Sequence, residues 1–244
     1  MNKVILGDCL ELMKNIPDKS IDMILCDLPY GTTACKWDTI IPFEPLWEQY
    51  KRIIKDNGAI VLTASQPFTS ALVMSNPDMF RYEWIWEKSH PTGFATAKKL
   101  PLKYHENILV FYKKTPMYNP IMWQGKANHG DNNYLKGLTN NAESQPNIKA
   151  VKANKNGIKY PKSLIKVNSH NRADISHPTQ KPVALFEYLI KTYTNEGDLV
   201  LDNCAGSGTT GVACKNLNRN YILIEKEQEY IDIINKRLWK RVYE

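Results

Sequence analysis

The stretch Leu199-Val200-Leu201-Asp202-Asn203-Cys204-Ala205-Gly206-Ser207-Gly208-Thr209-Thr210-Gly211 decides how the rest of the chain is read. Residues 198–202 make a short apolar strand, a glycine-rich turn follows, and residues 208–217 have the composition of a helix. The next apolar run, 221–225, is a second strand closed by an acid, Glu225, which stands 19 residues after Gly206. Gly206 and Gly208 let the backbone approach a ligand without side-chain interference, and the helix amino-terminus behind them favours a carboxylate or phosphate. An acid at the end of the following strand is placed to accept hydrogen bonds from two ribose hydroxyls. The pattern points to a nucleoside-bearing cofactor held by Asp202, Ala205, Gly206, Gly208, Thr209 and Glu225. Gly-x-Gly-x-x-Gly order is approached only by counting Gly211, so a dinucleotide and S-adenosylmethionine both stay open, beside a tight turn that binds nothing. A Walker-type phosphate loop is excluded, because no Gly-Lys-Ser/Thr follows.

Outward from this unit, strand and helix alternate. Leu185, Phe186, Leu189 and Ile190 form the apolar stripe of a helix that begins near Pro182 and stops at Gly197, and Tyr230, Ile231, Ile234 and Leu238 do the same for the last helix. At the other end of the chain, residues 4–6 and 20–26 read as buried strands, with a brief helix carrying Leu10 and Met13 between them. Phe43, Leu46, Trp47, Tyr50, Ile53 and Ile54 recur at helical spacing, Asn57-Gly58 ends that helix, and 59–64 is another buried strand. A short helix at 68–74 and strands at 82–88 and 106–112 complete the first part. The expected fold is α/β: a doubly wound, mostly parallel, Rossmann-like sheet covered on both faces.

The strand 20–26 leads straight into Asp27-Leu28-Pro29-Tyr30. Open α/β sheets bind ligands at the carboxyl ends of their strands. A carboxylate, a rigid proline and an aromatic ring at that edge suit an amino group on a flat heterocycle: the acid accepts its hydrogens and the ring stacks on it. The plainer readings are a strand-end cap for Asp27 and ordinary packing for Tyr30. Trp37 and Asp38, in the polar loop that follows, either close over this pocket or pack within the loop.

Periodicity fails from 115 to 176. Between Lys113 and Arg172 stand eleven Lys or Arg and only two acids, Asp131 and Glu143, so a chain of net charge +7 concentrates its positive charge here. Such an excess attracts a phosphate backbone, although a solvated lysine-rich loop has the same composition. A structureless loop of this length inside a compact domain is improbable unless it is functional. The expected organisation is 1–114, a basic insertion at 115–176, and 177–244.

Hydrophobic content of 43% and charged content of 23% are those of an ordinary globular chain. No apolar run nears the roughly 18 residues a spanning helix requires, and residues 1–6 are too short in their apolar part for a secretory signal. Five cysteines, odd in number and without Cys-x-x-Cys spacing, fit free thiols in the cytoplasm better than disulfides or a metal site.

Taken together, Asp27-Leu28-Pro29-Tyr30, residues 202–210 and His177-Pro178-Thr179-Gln180-Lys181-Pro182 resemble the amino-methylating DNA methyltransferases, which modify adenine N6 or cytosine N4. The tetrapeptide is similar to that family's Asp/Asn/Ser-Pro-Pro-Tyr motif, and 202–210 to its Asp-Pro-Phe-x-Gly-Ser-Gly-Thr-Thr loop. Catalytic motif first, basic insertion second and cofactor loop last is the order of the family's circularly permuted beta class. The resemblance implies S-adenosylmethionine as cofactor, double-stranded DNA as substrate, a base flipped out of the duplex, no catalytic metal and, by analogy, a homodimer. It implies that Asp27 and the Leu28 carbonyl accept the two amine hydrogens, that Pro29 stiffens the turn and that Tyr30 stacks on the base. Asp8 matches the residue that binds the cofactor's adenine, unless it caps the first helix, and Lys181 reaches the cofactor carboxylate, unless it is a surface lysine. The insertion would read the target sequence. Leu28 departs from the motif's first proline and Asn203-Cys204 from Pro-Phe, so an aromatic wall for the cofactor has to come from elsewhere. The expected activity is transfer to adenine N6. Cytosine N4, a glutamine or RNA substrate, and an inactive DNA-binding protein are the rivals.

Overall fold

In the computed structural model, residues 2–32, 38–127, 156–168 and 180–240 are described. The chain divides into two compact units, one of residues 1–119 and 163–244 and the other Pro120–Lys162.

The larger unit is built on an eight-stranded sheet. Its strands are β1 (Lys3–Leu6), β2 (Ile21–Cys26), β3 (Ile54–Ala64), β4 (Phe80–Thr92), β5 (Lys103–Phe111), β8 (Leu164–Lys166), β9 (Leu199–Asp202) and β10 (Asn220–Glu225), in the order β1-β10-β9-β2-β3-β5-β4-β8. Only β5 runs against its neighbours. The sheet separates two cores. On one face lie α1 (Cys9–Met13), α2 (Phe43–Ile53) and α3 (Phe68–Ser75), packing Met13, Leu46, Trp47, Tyr50, Phe68 and Leu72 against Ile24, Ile60 and Leu109. On the other lie α4 (Val183–Tyr193), α5 (Thr209–Asn216) and α6 (Gln228–Lys240), packing Leu185, Phe186, Leu189, Ile190, Ala213 and Ile234 against Met23, Leu25, Val61 and Leu223. Neighbours along β2 face opposite cores because a strand's side chains alternate, which is why its whole length reads as apolar. This is the doubly wound arrangement expected.

The pairing that matters most joins β2 to β9, with Met23 opposite Val200 and Ile24 opposite Leu201. Here the two halves of the winding meet. Sequence positions some 175 apart therefore reach the same sheet edge, at the switch point where such folds bind ligands.

Four local expectations change. The second helix stops at Ile53 rather than at Asn57-Gly58, and β3 begins at once. Residues 55–58 form an irregularity in the β2–β3 register, where Ile21 pairs with Ile54 but Met23 pairs with Ala59. Gly58 is needed for close approach and not for a helix stop: a Cβ there would lie 2.8 Å from the Asp22 carbonyl oxygen. The fourth helix starts one residue later than the proline suggested, with Pro182 as its N-cap, and ends at Tyr193, so Gly197 serves the following turn at φ +84°. Strand β4 is longer than expected, reaching Thr92, and β5 starts at Lys103, so the two carry residues of the expected 91–104 loop to the sheet edge.

The last change concerns the insertion. Leu164–Lys166, inside the expected 115–176 span, adds to the large sheet parallel to β4. The separate unit is narrower, Pro120–Lys162. In it β6 (Trp123–Gln124) pairs antiparallel with β7 (Ile158–Lys159), Trp123 Nε1 donates to the Tyr160 carbonyl at 2.9 Å, and Lys162 Nζ stands 4.5 Å from the Trp123 ring centre. Residues 128–155, with four of the eleven basic residues and both acids, lie outside the described residues. Among the described residues no helix is long and apolar enough to cross a membrane.

Candidate active site

A single cavity of about 670 Å³ opens at the carboxyl edge of the sheet and is lined from both halves of the winding. From the first half come Asp8, Asp27, Leu28, Pro29 and Tyr30; from the second come Lys181, Asp202, Ala205, Gly206, Thr209 and Glu225. Among the described residues expected at the site, Gly208 alone does not line it. Gly208 has φ +79°, and a Cβ would sit 2.9 Å from Ile234, so its role is to seat α5 against α6. At Gly206, with φ +50°, the Cβ of another residue would meet nothing within 4 Å, so the space before it is open.

The two carboxylates of the second-half loop are braced by short-range bonds. Glu225 ends β10, and its Oε2 accepts from the Gly206 backbone at 2.8 Å while Oε1 accepts from Lys226 and Glu227 at 2.8 and 3.0 Å. Burial raises its carboxyl above the usual range against the pull of those N–H groups. Asp202, 3% exposed, accepts from the Thr210 hydroxyl and from the Cys204 backbone at 3.1 Å. Burial pushes its carboxyl up to about 7, only partly offset by these donors. A bound cation would favour its charged form. The departures from the familiar loop point inward: Asn203 is 2% exposed and accepts from the Tyr50 hydroxyl at 2.5 Å. Tyr230 and Phe186 are among the aromatic residues that line the cavity. Asp8 is the N-cap of α1, its Oδ1 accepting from Leu10 and Glu11 at 2.9 and 3.2 Å. It also lines the cavity, so capping the helix does not remove this residue from the site.

The Asp27 carboxylate is held by one near partner and two distant ones. Its Oδ1 accepts from the Tyr30 hydroxyl at 2.8 Å and from the Thr63 hydroxyl at the end of β3. Its Oδ2 accepts from Lys181 Nζ at 2.6 Å. Lys181, expected at the cofactor carboxylate or on the surface, is not on the surface: it is 8% exposed and lies against Asp27, 3.4 Å from Glu106 and 5.4 Å from the Tyr30 ring centre. Burial opposes its charge, but the carboxylates of Asp27 and Glu106 outweigh it and hold the ammonium well above the usual lysine range. Lys88, also 8% exposed, pairs with the other oxygen of Glu106 at 3.2 Å. The resulting chain of alternating charge, Asp27–Lys181–Glu106–Lys88, costs least when every charge has a neighbour of opposite sign.

Tyr30 is half-buried rather than presented as an open face. Phe68 stacks on its ring at 5.2 Å, and its hydroxyl is 3.0 Å from Thr63. Burial raises the phenol well above its ordinary range, so it serves as a neutral donor. Asp38 accepts from the backbones of Gly31 and Thr32 at 2.8 and 2.9 Å and so locks the turn that follows Tyr30. Trp37 and residues 177–179 of the His-Pro-Thr element lie outside the described residues. Thr63, Lys88 and Glu106 carried no motif. Their one signal is placement at the catalytic ends of strands, Glu106 there because β5 is antiparallel.

These features fit a nucleoside with a positively charged tail: open space at Gly206, an acid at the end of β10, a buried carboxylate at Asp202 and aromatic lining. A family model for DNA methylases of the N6/N4 type matches residues 21–236. The Type II methyltransferase M.HinfI of Haemophilus influenzae is 32% identical, covering 98% of this chain and 68% of the relative. M.HpaI of Haemophilus parainfluenzae is 29% identical over 97% of this chain and 74% of the relative. Among solved structures, the M1.HpyAVI–SAM complex superposes with a TM-score of 0.67 at 27% identity, covering 98% of this chain and 100% of the other. The cytosine-N4-specific PvuII methyltransferase superposes at 0.70 with 16% identity, a likeness of fold. The chain thus belongs to the amino-methylating DNA methylase family, enzymes that take their methyl group from S-adenosylmethionine.

Proposed function

We propose that the enzyme methylates N6 of adenine in duplex DNA, with Asp27 and the Leu28 carbonyl accepting the two amine hydrogens of a flipped-out base. One observation carries the reading: Asp27 and the open glycine turn at Gly206 line one cavity. S-adenosylmethionine supplies an electrophilic methyl on a sulfonium. What the chain must supply is a nitrogen lone pair, because that of adenine N6 is delocalised into the ring. Two acceptors, one for each amine hydrogen, draw nitrogen toward tetrahedral character and turn its lone pair to the glycine-loop side. Holding both reactants in such a geometry lowers a barrier by up to roughly 7–11 kcal/mol in ideal cases. The base has to leave the duplex for its amine to enter the cavity. Tyr30, fixed by Phe68 and by its own hydroxyl bond, offers the base the part of its ring that Phe68 leaves uncovered. The proton shed by the amine leaves along its bond to Asp27, whose side chain is 24% exposed and can pass it to water.

Around the cofactor the same reading assigns Asp8, Asp202, Ala205, Gly206, Thr209 and Glu225. It gives the unit Pro120–Lys162 the task of reading the target sequence, supported by the local charge excess and by the exposed Trp123 and Tyr160. A cytoplasmic homodimer belongs to the same reading, and sedimentation of the purified enzyme tests the dimer.

Asp27→Ala is expected to lower incorporation of tritiated methyl into DNA by about a thousandfold, by the scale of lost transition-state positioning. Calorimetric affinity for S-adenosylmethionine should stay within a few-fold. Incorporation at near wild-type rate would overturn the assignment. Digestion of the modified DNA should yield N6-methyladenine; N4-methylcytosine would overturn the choice of base.

A further inference from the structure

Asp27 does not stand in the cavity as an isolated acceptor. Its Oδ2 and the Lys181 ammonium lie 2.6 Å apart, an acceptor and a donor side by side, and both line the cavity. Adenine shows the complementary pair on its Watson–Crick edge, the N6 amine as donor beside ring N1 as acceptor. Thymine answers that edge in the duplex with a carbonyl beside an N–H. The Asp27–Lys181 pair offers the same sequence of groups to a base that has lost its partner.

We propose that Lys181 donates to the ring nitrogen beside the target amine while Asp27 accepts from the amine, and that Glu106 is the positioning residue that holds Lys181 for this contact. The proposal rests on the reading of Asp27 given above. Its chemical sense lies in a competition. Ring N1 keeps an in-plane lone pair and is the better intrinsic nucleophile, whereas that of the amine is delocalised. A donor fixed on N1 engages this lone pair and sets the base so that only the amine faces the cofactor side.

Glu106 gives the second half of the argument. Its Oε2 is buried and makes no hydrogen bond among the described residues, yet Lys181 Nζ is only 3.4 Å away. Oε1 is held by Lys88. A buried carboxylate oxygen without a donor is costly. A small shift of Lys181 toward Glu106 satisfies that oxygen and opens Oδ2 of Asp27 to the incoming amine. Glu106 and Lys88 balance one another, so Lys181 is neutralised whichever carboxylate it touches.

The test uses the intact enzyme and a duplex bearing 1-deazaadenine at the methylated position, once single-molecule sequencing has located it. This base keeps the amine and replaces N1 with C–H. Wild type is expected to lose roughly 10- to 100-fold in kcat/KM relative to adenine, the scale of one charge-assisted hydrogen bond. Lys181→Met should be slower on adenine and treat the two bases alike within about threefold, and Glu106→Gln should shrink the ratio without weakening cofactor binding. Wild type indifferent to 1-deazaadenine, or Lys181→Met retaining the full ratio, overturns the contact; Glu106→Gln retaining it overturns the positioning role. The wild-type comparison needs no variant and so survives misfolding. If the modified nucleoside were N4-methylcytosine, the choice of base above would fail, while the same edge contact would be decided with 3-deazacytosine.

Discussion

The two halves of the cavity are held in different ways. On the cofactor side the two carboxylates are braced locally, Asp202 to Thr210 across 8 residues and Glu225 to Gly206 across 19, and Asn203 is tied at longer range to Tyr50. On the catalytic side Asp27 depends on Tyr30 three residues on, on Thr63 at 36 and on Lys181 at 154. The first is a turn that carries most of its own instructions. The second is a charge held by strands and a helix start that must all be in place, so it exists only once the sheet has closed. Damage to the cofactor side should therefore show as lost affinity or lost stability, and damage to the catalytic side as lost rate.

The largest expected effect separates the two most sharply. Asp27→Asn keeps shape and removes charge, leaving Lys181 with Glu106 alone; single-turnover transfer should fall about a thousandfold with cofactor affinity nearly unchanged. Next comes the cofactor side. Gly206→Leu fills open space, and its left-handed backbone costs the new residue about 1–2 kcal/mol. Cofactor affinity should fall by roughly a hundredfold by calorimetry, with the fold intact by circular dichroism. Gly208→Leu, two residues on, should do the reverse: collision with Ile234 destabilises by about 2–4 kcal/mol in urea titration. Equal loss of affinity in both variants would show that the two glycines share one role.

Legibility in the sequence follows the same division. The sheet was readable because β2, β3, β9 and β10 are buried on both faces and so appear as apolar runs, and the helices because their stripes recur at helical spacing. Gly206 and Glu225 were readable because they lie within 20 residues of one another. What could not be read is everything set by register or charge pairing across the fold. Glu106 looks like one acid among many until β5 reverses and brings it to the catalytic edge beside Lys88. Lys181 follows a turn in the sequence, as a surface lysine would, yet the start of α4 places it inside. Gly208 appeared in the same pattern as Gly206, and only the packing of α6 tells them apart.

Thr63→Val refines the catalytic side. It removes one donor from Asp27 Oδ1 while Tyr30 and Lys181 remain, so the carboxylate stays paired but turns more freely. One neutral hydrogen bond of about 1 kcal/mol sets the scale, and kcat should fall about five- to tenfold with KM for DNA unchanged. A loss as large as that of Asp27→Asn would mean that Thr63 itself meets the base.

The smallest effect tests whether the cofactor side carries a charge of its own. Asp202 has its carboxyl raised to about 7 by burial, against 3.8 for the free group. The unfolded chain gives up this proton near pH 4 and the folded chain keeps it to about pH 7. Over that window the folded state binds more protons than the unfolded state, so rising pH lowers stability, with no further loss from this group above the folded value. Asp202→Asn can still accept from Thr210 but cannot titrate. The thermal midpoint of wild type relative to this variant should fall by about a few degrees between pH 5 and 7, then stay level to pH 8.5. Saturating S-adenosylmethionine should flatten that fall, because its cationic tail favours the carboxylate. A difference independent of pH, with or without the cofactor, would mean that Asp202 is charged throughout and that the brace is held by Thr210 and the Cys204 backbone alone.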